Sequence, residues 1–158
     1  MRRLVDAALY SGCRAVELRK LKCRDVIHES RKLAVPPAKR GAGRTIILSN
    51  EGYAFFASLT DHRKDQDILV RRLNGREWTK GATASQVYRT AKRHPETASI
   101  NFHALRHTYA TRLRDGGMPL NLIARQLGHK HLRTTEHYYV GIDDAVSDVM
   151  IRDALKFM

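Results

Sequence analysis

Between residues 103 and 139 stand His103, Arg106, His129 and the adjacent Tyr138 and Tyr139, side-chain types that phosphoryl transfer through a protein nucleophile requires. His103 and Arg106 are three residues apart, which puts them on one face of a helix. A guanidinium there can hold two phosphate oxygens at once. An imidazole beside it can give or take a proton near neutral pH. His129 follows Leu127-Gly128, where the glycine removes bulk and lets another group approach. Tyr138 and Tyr139 are neighbours, so only one can face a given site. A tyrosine hydroxyl attacks phosphorus only if something takes its proton or stabilises the phenolate; the arginines and His129 are suited to that task.

Two basic positions upstream extend the set. Arg14 is followed three residues later by Glu17, which could orient its guanidinium. Lys39 sits in the turn-forming run PPAKRGAG, where a basic finger could enter a groove. Taken one at a time, each residue has a plainer explanation: a solvated charge, a helix-capping histidine, a ring packed in the core. A metal centre is not expected. His103 and His107 have i, i+4 spacing, but no HExxH and no cysteine or acidic cluster supplies further ligands. Gly41-Ala42-Gly43 lacks the spacing of a nucleotide phosphate loop, so no cofactor is expected either.

The elements that must position these groups can be read from periodicity. Residues 2–11 carry Leu4, Val5, Ala8 and Leu9 at helical spacing, broken by Ser11-Gly12. A short helix is expected at about Val16–Lys22, then strands at Asp25–His28, Lys32–Val35 and Arg44–Leu48. Ser49-Asn50-Glu51 reads as a helix start leading into GYAFFASL. Asp61–Arg76 is charged and reads as loop with a small strand at Ile68–Val70. A helix over Thr83–Arg93 stops at His94-Pro95. Phe102, Leu105, Tyr109 and Leu113 form one apolar stripe, ended by Gly116-Gly117. Pro119 suits a first helical turn; Leu120, Ile123, Ala124 and Leu127 then face inward until Gly128 stops the helix. Leu132–Tyr139 and Asp143–Met158 read as two last helices. The expected fold is mainly α with a small antiparallel β-sheet (α+β), one domain over residues 1–158.

Charge bounds the partner. The chain has 29 Lys and Arg against 16 Asp and Glu, a formal charge of +13 over 158 residues. Such an excess repels itself unless a polyanion neutralises it, and double-stranded DNA or RNA gains affinity from the counterions so released. No run is long enough to span a bilayer, so no membrane partner is expected. Cys13 and Cys23 form no CxxC pair and suit a reducing, cytoplasmic setting.

Together these segments resemble the tyrosine recombinase family, the phage-integrase type of site-specific DNA recombinase. GCRAVEL resembles its first arginine box, AKRGAGRTIIL the hairpin that carries a catalytic lysine, HALRH its HxxR box, and LGH its second histidine position. The resemblance implies a catalytic set of Arg14, Lys39, His103, Arg106 and His129, with Glu17 as supporting acid. It implies a nucleophile nine residues after His129, at Tyr138, with Tyr139 in reserve. The implied reaction is strand cleavage and rejoining without metal or nucleotide, through a 3′-phosphotyrosyl link. In such a scheme Arg14 and Arg106 hold the non-bridging oxygens, Lys39 protonates the leaving 5′-oxygen, His103 helps take the tyrosine proton, and His129 hydrogen-bonds the phosphate. Self-association as a tetramer on double-stranded DNA, with the C-terminal helix docking on a neighbour, is implied as well, as is a bacterial, phage or mobile-element origin. The family also carries an N-terminal DNA-clamping domain, so the chain is expected to be a catalytic fragment, lacking that domain and the start of the catalytic one, and weakly active alone. Two rivals are a non-catalytic helix-turn-helix module, which Pro119–Tyr139 resembles, and a type IB topoisomerase, which shares the chemistry.

Overall fold

The computed structural model describes residues 2–37, 43–93, 95–97 and 101–129. The helix α1 (Arg2–Ser11) turns Leu4, Ala7, Ala8 and Ser11 inward, all buried. It packs against two later helices, α3 (Asn50–Ser58) and α5 (Phe102–Asp115). Helix α2 (Ala15–Leu18) is shorter than the expected Val16–Lys22. Its continuation is taken by a competing backbone partner. The Leu69 N–H donates to the Leu21 carbonyl at 2.7 Å, the Cys23 N–H to that of Asp67 at 2.9 Å, and Lys22 forms a β-bridge with Ile68. The charged segment has this isolated bridge at Ile68 in place of the small strand expected at Ile68–Val70.

Strands β1 (Val26–Ile27), β2 (Lys32–Val35) and β3 (Arg44–Ile47) form an antiparallel sheet in the order β1-β2-β3. Val26 pairs with Leu33 and Leu33 with Ile46. All three side chains are buried, so this face lies on the core. The pairing of Val35 with Arg44 closes the root of the 36–43 connection. Lys39, within that connection, lies outside the described residues, as do Tyr138, Tyr139 and both expected C-terminal helices.

Capping sets the remaining boundaries. The Ser49 hydroxyl accepts the Gly52 N–H at 3.1 Å and starts α3. Thr79 does the same for α4 (Lys80–Ala91), accepting the Ala82 N–H at 3.1 Å. This starts α4 three residues before the expected Thr83. The Asn101 side chain accepts the N–H groups of His103 and Ala104 at 2.9 and 3.2 Å, fixing the first turn of α5. In α6 (Leu120–Leu127) Pro119 sits at the N-cap, just outside the helix, instead of in its first turn. Gly128 ends α6 with φ 69°, and the His129 N–H reaches back to the Ala124 carbonyl at 3.0 Å. That backward bond needs a left-handed residue before it, which glycine adopts without penalty. Tyr109, Ala110, Ile123 and Leu127 weld α5 to α6. The larger core gathers Leu4, Leu18, Leu33, Ile46, Phe56 and Leu69 from the other elements.

The observed class is the expected one, mainly helical with one small antiparallel sheet. Both cysteines are buried and free.

Candidate active site

Arg14, His103 and Arg106, 89 or more residues apart in sequence between the first and the other two, line one cleft of about 280 Å³ together with Cys13, Val16 and Phe102. Three short-range choices bring them there. Arg14 holds the N-cap position of α2 with extended backbone. His103 is exposed in the capped first turn of α5. Arg106 lies one turn further along the same helix, where the helical spacing carries it inward.

Arg106 is only 1% exposed, which excludes its reading as a solvated surface charge. Its Nη1 donates to the Gly12 carbonyl at 2.7 Å and its Nη2 to the Leu127 carbonyl at 2.6 Å. The Leu127 carbonyl is one of the C-terminal acceptors that α6 cannot satisfy internally. The guanidinium therefore spans the end of α6 and the turn after α1, and is held in one orientation at the cleft. The turn itself depends on Gly12. Its φ is 60°, and a Cβ there would collide with the Tyr109 ring. Sequence reading found Gly12 as a helix stop but not this seat for Arg106.

Glu17 is the other organising group. Its carboxylate is 7% exposed and takes Arg14 Nη1 at 3.1 Å and the Arg14 backbone N–H at 2.7 Å. It also takes both terminal nitrogens of Arg44 at 2.9 Å. The expected role of Glu17, orienting Arg14, thus has direct contacts behind it. Arg44 was legible only as the opening residue of a strand. The signal that could have marked it is a lone arginine heading a β-branched run, which would otherwise place a bare charge at a sheet end.

Burial pushes the Glu17 carboxyl up, but the hydrogen bonds and positive charge of Arg44, with those of Arg14, outweigh it and hold the group down at about 2. Burial lifts the Cys13 thiol to about 11 and the Tyr109 phenol to about 12, so both stay neutral beside the arginines. One negative charge against Arg14, Arg44 and Arg106 leaves the cleft cationic, as a phosphodiester site needs. The sign of the acid response follows. Glu17 is depressed from its ordinary 4.5, so its stabilisation is complete above that value and is lost as pH falls toward 2. The loss amounts to about 3 kcal/mol. Urea midpoints measured near pH 5 and near pH 2.5 should fall more steeply in the natural chain than in Glu17→Gln; equal slopes would refute this.

His129 is half-buried just past the αL turn that ends α6, the helix end that Arg106 grips. His107 is exposed on α5. Among the described residues no group of histidine, cysteine or acidic side chains is arranged to hold a metal, and no helix is long and apolar enough to cross a membrane.

The model of the phage integrase family matches residues 1–144. Among known proteins, the tyrosine recombinase XerA of Pyrococcus furiosus is 30% identical over 139 residues, which cover 86% of this chain and 49% of that protein. XerA of Saccharolobus solfataricus is 26% identical over 144 residues, covering 89% and 46%. The chain spans about half the length of the curated relatives it matches. Among solved structures, the Tn1549 transposon integrase in complex with circular intermediate DNA superposes with a TM-score of 0.77 at 23% identity, over 96% of this chain and 59% of that one. The crystal structure of XerA recombinase gives 0.72 at 24% identity, over 97% and 62%.

Proposed function

The chain belongs to the phage integrase family of tyrosine recombinases, and from that premise we propose that it cuts and rejoins DNA strands as a site-specific recombinase catalytic domain. The observation that carries the proposal is the convergence of Arg14, His103 and Arg106 on one cationic cleft, with His129 beside the α6 carbonyl that Arg106 grips.

The chemistry follows from the groups in place. A scissile phosphate in the cleft meets Arg14 from α2 and Arg106 from α5, whose charge opposes the negative charge that grows on the non-bridging oxygens. Tyr138 supplies the nucleophile. Its oxygen bonds to phosphorus while the 5′-oxygen of the next nucleotide leaves, so bond count is conserved and no metal or nucleotide is consumed. His103 assists removal of the phenolic proton and His129 hydrogen-bonds a phosphate oxygen. Lys39 donates a proton to the leaving 5′-oxygen. Support for Lys39 comes from its loop, rooted at Arg44, which is bonded to the same Glu17 that holds Arg14. The 3′-phosphotyrosyl link can then be attacked by a 5′-hydroxyl from a second duplex.

The partner is double-stranded DNA, consistent with the +13 charge; tetrameric assembly on paired sites and exchange of the C-terminal helix complete the reading, in a cytoplasmic setting. A helix-turn-helix module has no use for a buried carboxylate holding Arg14 over the same cleft, which ranks it second.

The test is capture on a pool of nicked duplexes with a randomised core, in the presence of a metal chelator. Cleavage a few nucleotides 5′ of the nick, in the same strand, releases a short 5′-hydroxyl strand and leaves the protein on the DNA 3′ end. A chelator-resistant covalent adduct is expected. A folded chain that binds the pool yet forms no adduct would favour the non-catalytic module.

A further inference from the structure

We propose that Arg44 is a positioning residue that ties the support of Arg14 to the end of α6 next to His129, so that the two halves of the cleft keep one geometry; this rests on the reading of the cleft as the strand-cleavage site. Arg44 touches neither phosphate nor nucleophile in this scheme. Its side chain is 10% exposed, and its donors point to two different elements. Nη1 and Nη2 take the two oxygens of Glu17 at 2.9 Å each. Nε donates to the Gln126 carbonyl at 2.8 Å, in the last turn of α6. A second tie runs beside it, from the Ile47 N–H to the Gln126 side-chain oxygen at 3.2 Å.

The surroundings fit an arginine and nothing smaller in its donor set. A Cβ on Gly128 would come within 2.7 Å of Arg44 Cδ, so the glycine between Leu127 and His129 also opens the path for this side chain. The groups facing Arg44 are Glu17 with Arg14 beyond it, the Cys13 sulfur at 3.8 Å, Gln126 of α6, and Tyr109 on α5. Lysine would keep the charge but lose the planar fork and the Nε donor together. It could hold Glu17 or the α6 carbonyl, not both in register.

The experiment uses the full chain and two variants, Arg44→Lys and Glu17→Gln. The first readout needs no DNA: ring resonances of His129 in the free protein. Removing the Glu17 charge is expected to shift them, because Arg44 transmits the change to α6; unmoved resonances overturn the proposal. The second readout is adduct formation on the nicked pool. Arg44→Lys is expected to bind DNA within about threefold of the natural chain and to form adduct roughly 10- to 100-fold more slowly, as loss of an orienting partner does at other sites. It should also gain an acid limb in its rate–pH profile, since Glu17 without its fork titrates nearer the ordinary carboxylate range. A part that only stabilised the fold would lower the melting temperature and leave rate and pH profile of the folded protein alone; that result overturns the proposal. If Arg44→Lys does not fold, Glu17→Gln and the His129 resonances decide. An adduct that forms equally well in Tyr138→Phe would instead strike at the reading of the site itself.

Discussion

Tyr138→Phe is expected to abolish the covalent adduct on nicked DNA, a loss on the order of 10⁴-fold or more, because in the proposed scheme its phenolic oxygen forms the bond to phosphorus. DNA affinity should change by less than about threefold, since the ring and every basic group remain. Tyr139→Phe is expected to keep adduct formation within about tenfold of the natural chain. Adjacent side chains cannot share one trajectory toward a phosphate, so the pair of substitutions assigns the nucleophile. Loss in Tyr139→Phe with retention in Tyr138→Phe would move the nucleophile one residue and shift the spacing from His129 that selected Tyr138.

Arg106→Ala carries the second large effect and combines two costs that Arg14→Ala separates. Removing either guanidinium takes away charge that opposes the transition state, worth on the order of 10²- to 10³-fold in adduct formation. Arg106 also satisfies the carbonyls of Gly12 and Leu127 deep in the protein. Leaving both without that donor costs about 2–4 kcal/mol. Arg14 is 43% exposed and its side chain bonds only to Glu17 among the described residues, so its loss should cost less than about 1 kcal/mol. Melting curves and adduct rates for the two alanine variants, measured where both are folded, should therefore agree on chemistry and differ in stability. Equal melting temperatures would contradict the bridging role of Arg106.

The two arginine variants also mark the boundary of what could be read from the chain alone. Helical and strand periods, with Ser49 and Gly128 as punctuation, were enough to place α1, α3, α5, α6 and the sheet. Boundaries failed where the deciding bond is long-range. The end of α2 depends on Leu21 meeting Leu69, and nothing near residue 21 announces that partner. The start of α4 failed for a local reason, because Gly81 obscures the cap that Thr79 provides. The same division runs through the site. Arg14 with Glu17, and His103 with Arg106, are i, i+3 pairs and declare themselves. That Arg106 reaches Gly12, that Gly12 exists to face Tyr109, and that Arg44 reaches both Glu17 and Gln126 are facts of packing between residues 27 to 97 apart. Resemblance supplied the order of the boxes; the structure supplied the reason for Gly12 in the first and Gly128 in the last.

Metal-free transesterification through one tyrosine leaves a defined mark on the protein, which mapping of the trapped adduct reads. The adduct is formed on the nicked pool in chelator, denatured, digested with protease and nuclease, and the modified peptide is sequenced by mass spectrometry. A nucleotide 3′-phosphate on Tyr138 and a free 5′-hydroxyl on the released strand are expected. A link to the 5′ end, a modified residue other than Tyr138, or an adduct that appears only when a divalent metal is added would contradict it.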